Sequence, residues 1–360
     1  MLEAAQLASK GAPASATDLN GYTSRCSFDL FNSMMFGQLT KMADPETVHD
    51  QENFEFCHAV LNGMDHLMKQ LRTPMQLIMF KLGIKTSLYK DMAQSVDMVF
   101  TIAEKKYHAF KERYDKNDLT EAEMSSYLGR AVIRQAEDGS NISEQELAEL
   151  IKISLCAAVD TTSSMLSWNM IHLALNGGVQ DKLHAELAEA TQKHGGLNAE
   201  SLRKVNAPYL HAFLRETHRL TPSAPLTIIK ENSVADIEIH GSVIPKDSVF
   251  GFDGYSTGLE LVEDPNEFCP ERWLPDAVDA RKGTPAEIID HPFYRDAFSQ
   301  GSRKCPGSRV ANNEVLILIS QLVLDWQMAP SDAGYGKEDV TYKWRGMIHP
   351  DMPILDFVAR

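Results

Sequence analysis

The feature that most constrains the fold is one uninterrupted helical stretch of about thirty residues between Ser143 and Asn176. Ser143 with Glu146 three residues later makes a capping box at its start, and Asn176-Gly177-Gly178 supplies a stop. At about 1.5 Å per residue the helix spans roughly 45 Å, enough to cross a whole domain, so it must run through the core. At its middle lies Ala157-Ala158-Val159-Asp160-Thr161-Thr162. An acid followed by two hydroxyls is unusual chemistry for a buried helix. A threonine hydroxyl can bond the carbonyl four residues back, here that of Ala157, which loosens the backbone and makes room for a ligand or water. The plainer alternative is an Asp and a Thr solvated on an amphipathic face.

The remaining pattern is also helical. Phe28, Phe31, Met35 and Leu39 recur at helical spacing from Ser27 to about Met42, where Asp44-Pro45 closes the segment. Further helices are predicted over 46–71, 74–82, 86–114, 118–137, 179–193, from Pro208 to the Thr221-Pro222 break, and over 308–324. Strand signals are few: Ile237–Ile239 and Val243–Phe250 read as a hairpin about Gly241, and 340–358 as strand-like pieces. Residues 275–296 read as irregular, and 1–24, rich in Ala, Ser and Gly, as a loose start. The fold class is therefore mainly α. Met64, Met68, Met75, Met79, Met92 and Met98 read as ordinary core at helical spacing or as the lining of an apolar pocket.

With 360 residues and 43% hydrophobic content the chain can bury a sizeable core, and its net charge of −15 argues against nucleic acid as a partner. Five scattered cysteines without CxxC spacing indicate neither a disulfide framework nor a zinc site. No apolar run is long enough to span a bilayer. Asn141-Ile-Ser143 reads as a helix cap before it reads as a glycosylation acceptor.

Two clusters carry chemistry beside the long helix. In Phe298-Ser-Gln-Gly301-Ser-Arg303-Lys-Cys305-Pro-Gly307, Cys305 precedes the apolar run Val310 to Leu324, so its sulfur sits at a helix N-terminus that favours thiolate. Gly301 and Gly307 let the backbone approach a flat group closely, and Pro306 suits the first turn of the following helix. An inert cysteine between two turn glycines is the alternative. Glu216 and Arg219 share one helix face, by default as a surface ion pair.

FxxGxRxCxG, filled by Phe298, Gly301, Arg303, Cys305 and Gly307, resembles the haem-ligand motif of the cytochromes P450. The Ala157 to Thr162 stretch resembles that family's oxygen-activating motif (A/G)GxDT(T/S), with Ala158 where glycine is usual. Glu216-Thr-His-Arg219 and Pro270-Glu-Arg272-Trp273 resemble its ExxR and PER motifs. The resemblance implies a cytochrome P450 fold over 25–360, a helical bundle with small β-sheets around haem b, lacking the family's N-terminal strands and first helices. It implies Cys305 as the axial ligand of iron, Arg303 as a propionate contact, and Phe298, Gly301, Gly307 and Ala157 as further haem surroundings. Asp160 and Thr161 would relay protons, and Glu216, Arg219 and Arg272 would form a buried triad.

The implied activity is monooxygenation: one oxygen atom of O2 enters an apolar substrate, with electrons from a ferredoxin or a flavoprotein reductase. Arg303, Lys304 and Arg309, with Arg215 and His211 beside them, would form a basic docking face for that donor. Cys305 to Glu314 looks similar to the mitochondrial branch. Membrane association, at the mitochondrial inner membrane or the endoplasmic reticulum, would come through the absent N-terminus. Two alternatives stay open: a haem-thiolate isomerase or dehydratase, whose relatives tend to lose the acid and alcohol kept here in Asp160 and Thr161, and a non-catalytic remnant.

Overall fold

The computed structural model describes residues 1–360 except 13–14, 17–18, 45–50, 139–142, 225, 296, 345–346 and 352. Ahead of the long helix come α1 (Leu2–Lys10), α2 (Leu19–Phe36), α3 (Gln51–Arg72), α4 (Pro74–Lys81), α5 (Ser87–Asp115), α6 (Glu121–Ser125) and α7 (Tyr127–Asp138). The long helix is α8 (Glu144–Leu175), and its capping box is formed: Ser143 N donates to Glu146 Oε2 at 2.7 Å and Glu146 N to Ser143 Oγ at 3.2 Å. Asn141 and Ile142 of the acceptor triplet lie outside the described residues. After α8 follow α9 (Gly177–His194), α10 (Pro208–Leu220), α11 (Gly254–Glu260), α12 (Pro275–Arg281), α13 (Pro292–Arg295) and α14 (Ser308–Asp325).

The strands are short and peripheral. β1 (Ser15–Ala16) and β6 (Trp326–Pro330) flank β9 (Leu355–Ala359) in an antiparallel sheet. β2 (Leu226–Glu231) pairs with β5 (Val249–Asp253), β3 (Ile237–Ile239) with β4 (Ser242–Ile244), and β7 (Tyr342–Trp344) with β8 (Ile348–Pro350). Among the described residues no helix is long and apolar enough to cross a membrane.

α8 threads two cores. Its front half, through Ile151, Leu155 and Val159, packs with Phe28, Phe56 and Tyr107 from α2, α3 and α5. Its rear half, through Leu166, Met170 and Leu173, packs with Leu30, Phe213 and Leu318 from α2, α10 and α14. Asp160 and Thr161 belong to neither cluster; they fall at the seam, where apolar packing changes partners.

Several sequence expectations differ from the structure. Within residues 1–24, expected to be loose, α1 buries Ala4, Ala5 and Ala8, whose small side chains let it lie close to α14. Ser9 Oγ donates to Asp325 Oδ2 at 2.6 Å, and Trp326 Nε1 donates to Ser9 O at 3.0 Å, fixing its far end. α2 starts at Leu19, since Tyr22 and Cys26 already face the core, and it stops before Gly37, which takes φ +70°. A Cβ there would sit 2.6 Å from Ala122 O, so glycine is required by a close approach to α6 as well as by the turn. Pro45 and residues 46–50 lie outside the described residues.

The helix expected over 118–137 is two helices. Ser126 Oγ donates to Glu123 O at 2.7 Å and accepts from Gly129 N at 3.0 Å, ending one helix and starting the next. The hairpin about Gly241 forms, but Val249 and Phe250 belong to the separate β5. Residues expected to be irregular within 275–296 include α12 and α13. Of the six methionines, Met98 packs against the first core, while Met75 on α4 is exposed.

Candidate active site

Glu216 in α10 is completely buried and is a convergence point for donors. Arg219 grips it with both ends of its fork, Nε to Oε2 at 2.8 Å and Nη2 to Oε1 at 2.7 Å. Arg272 Nε reaches Oε1 at 3.2 Å, Cys269 N reaches the same oxygen at 2.9 Å, and Trp273 Nε1 reaches Oε2 at 2.7 Å. The two guanidiniums turn their remaining donors onto carbonyls: Arg219 onto Pro265 O and Glu267 O, Arg272 onto Glu263 O and Asp264 O. A buried charge costs little only when every lone pair and N–H has a partner, and here the chain supplies them. The structure therefore brings Glu216, Arg219 and Arg272 together, and it adds Trp273. The indole follows Arg272 directly in the sequence, and nothing in spacing marks its Nε1 as a donor to Glu216.

The Cys305 loop has the opposite character. Cys305 is exposed, and its amide donates to Phe298 O at 2.9 Å, which folds 298–305 back on itself. Ser299 and Gly301 take positive φ, +68° and +81°, to make that return. A Cβ on Gly301 would meet nothing of the chain within 4 Å and one on Gly307 only Cys305 Sγ at an ordinary 3.8 Å, so it is the left-handed φ of Gly301, not lack of space, that calls for glycine there. Cys305 and Pro306 fall just before α14 rather than in its first turn, with Gly307 as N-cap. The loop is tied to α10 by Phe298, whose ring stands edge-on to His218 at 5.7 Å between centroids. Arg303 is exposed.

α8 and α14 are joined by Thr162, whose Oγ1 donates to Glu314 Oε2 at 3.3 Å. Glu314 is buried, its Oε1 has no partner among the described residues, and burial pushes its carboxyl up to about 8. Cys305 lies nine positions before Glu314, ahead of α14 itself. Thr162 thus faces α14, whereas Thr161 does not: its Oγ1 donates to Ala157 O at 2.9 Å, the back-bond expected from the sequence. Ala157 is exposed, and so is Ile153 one turn earlier at 62%, on a helix whose other faces are packed. Asp160 meets His349 of β8, with Oδ1 3.1 Å from Nε2. Nothing in the sequence links those two residues, 189 positions apart.

The basic face is smaller than expected. Arg303, Lys304 and Arg309 are exposed, but Arg215 is turned inward. Its guanidinium stacks 3.6 Å over the Trp273 ring and donates to Ile289 O and Asp290 Oδ1, so its charge is spent inside. His211 Nε2 lies 2.9 Å from Leu202 O, and burial lowers its pKa, which removes it from a cationic surface as well.

The sequence model of the family described as cytochrome P450 matches residues 3–350. The chain belongs to the cytochrome P450 family. The match begins well ahead of residue 25, which accords with a packed α1. This P450 is 27% identical over 333 residues to the mitochondrial cholesterol side-chain cleavage enzyme of Mus musculus, covering 92% of this chain and 58% of that protein. It is 30% identical over 319 residues to cytochrome P450 10 of Lymnaea stagnalis, covering 86% and 54%. Over 252 residues it is 30% identical to the mitochondrial sterol 26-hydroxylase of Rattus norvegicus, covering 68% and 44%. The chain thus spans a little over half the length of the first two.

The family's cofactor is haem b, and the residues present fit it. An exposed thiol, a return turn opened by left-handed Ser299 and Gly301, and the exposed Ile153 and Ala157 of α8 are surfaces that a flat apolar group held through sulfur would use. Among the described residues no cluster of three or more His, Cys, Asp or Glu offers a competing metal site.

Proposed function

We propose that this P450 inserts one atom of O2 into an apolar substrate, using electrons from a ferredoxin-type donor. Cys305 is the thiolate that holds the haem iron, and Arg303 contacts a propionate. Phe298, Gly301, Gly307 and Ala157 shape the cofactor's surroundings, while Glu216, Arg219 and Arg272 fix the chain around the loop. Bound haem supplies the oxygen chemistry. The chain's own contribution is to hold the sulfur, exclude water through the two cores, and deliver protons through Asp160 and Thr161.

What supports this reading is that one chain carries both a displayed thiol before α14 and an adjacent acid and alcohol at the seam of α8. An isomerase or dehydratase would need no proton delivery, so the retained Asp160 and Thr161 favour monooxygenation. Sterols are the first substrates to try, because two of the relatives carry sterol reactions in their names. Arg303, Lys304 and Arg309 supply the cationic face to which an acidic electron carrier would be steered. The test is incorporation of labelled O2 into a sterol, dependent on both ferredoxin and its reductase. Rearrangement or dehydration of a substrate hydroperoxide, with no oxygen taken from O2 and without either protein, would instead support the isomerase class.

The same protein would associate with a membrane through an apolar surface on and after α4. Met75, Ile78 and Phe80 of α4, with Leu82 and Ile84 after it, are all exposed large apolar side chains. Lys81, Lys85 and Lys90 are exposed beside them, and residues 66–90 contain no acid in an otherwise acidic chain. Apolar side chains ringed by lysines suit the interface of an anionic bilayer. Sedimentation with anionic vesicles, lost on Leu82→Asp and absent with neutral vesicles, is the expected outcome.

A further inference from the structure

Helix α4 is held from one side and open on the other. Gln76 is its inner anchor: the side-chain Oε1 accepts from Thr86 Oγ1 at 2.6 Å, just ahead of α5, and the backbone O accepts from Gln70 Nε2 of α3 at 3.1 Å. Phe80, one turn on, sets its ring 5.7 Å from that of Tyr89 in α5. At helical spacing Met75, Ile78 and Leu82 fall on one arc, turned away from Gln76 and Phe80. They are 56%, 51% and 68% exposed.

Met75 differs from its neighbours on this arc in chemistry rather than in polarity. Its thioether can be oxidised, which the side chains of Ile78 and Leu82 do not allow. Susceptibility follows exposure. Among the described residues Met75 is more open than Met124 on α6, at 36%, while Met35, Met165, Met170 and Met328 are buried. The lysines beside it, Lys81 and Lys85, would meet an anionic headgroup at the level where its sulfur enters the bilayer.

We infer that Met75 is a modification site, oxidised to the sulfoxide by hydrogen peroxide, and that its oxidation releases the chain from an anionic bilayer. The sulfur lone pair takes one oxygen of the peroxide, the O–O bond breaks and water leaves, so the thioether is oxidised and the peroxide reduced. The product carries a polar S–O bond where the bilayer would otherwise receive an apolar side chain, and burying such a group without a partner is unfavourable. A bound bilayer in turn covers the sulfur, so binding and oxidation oppose each other. The inference rests on the membrane reading for its consequence, whereas the oxidation itself does not.

The test treats the full chain with hydrogen peroxide. Peptide fragment masses are expected to show oxygen added at Met75 well before Met170, and more slowly when phosphatidylserine-containing vesicles are bound. Partition of the oxidised chain onto those vesicles is expected to fall about tenfold. Met75→Leu, treated in the same way, is expected to sediment as it did before treatment. That variant keeps Met79 and Cys305, so a loss caused by oxidation of either would appear in it too. Oxidation of Met75 no faster than of Met170, undiminished sedimentation of the oxidised wild type, or an equal loss in Met75→Leu overturns the proposal. An untreated chain that does not sediment sinks the membrane reading and the release with it, and leaves the oxidation site standing.

Discussion

Glu216 is buried and accepts from Arg219, Arg272, Trp273 and the Cys269 amide, whereas Cys305, in the loop that packs against the same α10, displays its side chain to solvent. The first is a polar cluster the chain completes by itself. The second is shaped by backbone, through Ser299, Gly301 and the amide of Cys305, and the Cys305 thiol is free and exposed. Scaffold and ligand are thus separate problems. Damage to Glu216 should be felt by the fold, and damage to Cys305 only by what binds there.

The largest effect expected is from Glu216→Ala, which strands two guanidiniums and an indole N–H in a buried site. Unfolding by denaturant should show a loss of about 3–5 kcal/mol, or no cooperative transition. A loss below about 1 kcal/mol would erase the distinction drawn here.

Glu314 sharpens the comparison, being buried like Glu216 but poorly partnered. Its folded-state pKa, about 8, is raised above the ordinary 4.5, so the folded chain keeps a proton that the unfolded chain releases. The stability linked to that proton is full below about 4.5 and is lost as pH rises through about 8, by at most about 1.4 kcal/mol per pH unit. Glu314→Gln removes the linkage. Melting of the two proteins should therefore diverge from pH 5 to pH 8 in favour of the variant; parallel curves would place Glu314 among the paired acids.

Trp273→Phe removes one donor from Glu216 and keeps the ring that Arg215 covers. About 1.5–3 kcal/mol is the expected loss for a hydrogen bond to a charged group, less than for Glu216 itself. At the far end, Arg303→Ala should change unfolding by less than about 0.5 kcal/mol, since the side chain is exposed, while haem is released faster. Equal haem retention in both proteins would remove Arg303 from the cofactor's surroundings.

What was legible in the sequence was what depends on local spacing. The Ser143–Glu146 box, the Thr161 back-bond to Ala157 and the ion pair of Glu216 with Arg219 all lie within one turn. α1 was missed because alanines carry little periodic signal until α14 covers them. The break at Ser126 depends on a side chain choosing its own backbone over the helix. Arg215 reads as surface charge until Trp273 and Asp290 draw it inward, and His349 meets Asp160 only because β8 is clamped across α8. Contacts between distant segments have no spacing to read.

The most direct test of the account is the carbon monoxide spectrum of the chain reconstituted with haem and reduced, beside that of Cys305→Ser. The red-shifted band of a thiolate-ligated haem is expected in the wild type alone, with the two haem-free proteins unfolding at the same denaturant concentration. A band that persists in Cys305→Ser, or that never forms in the folded wild type, would contradict it.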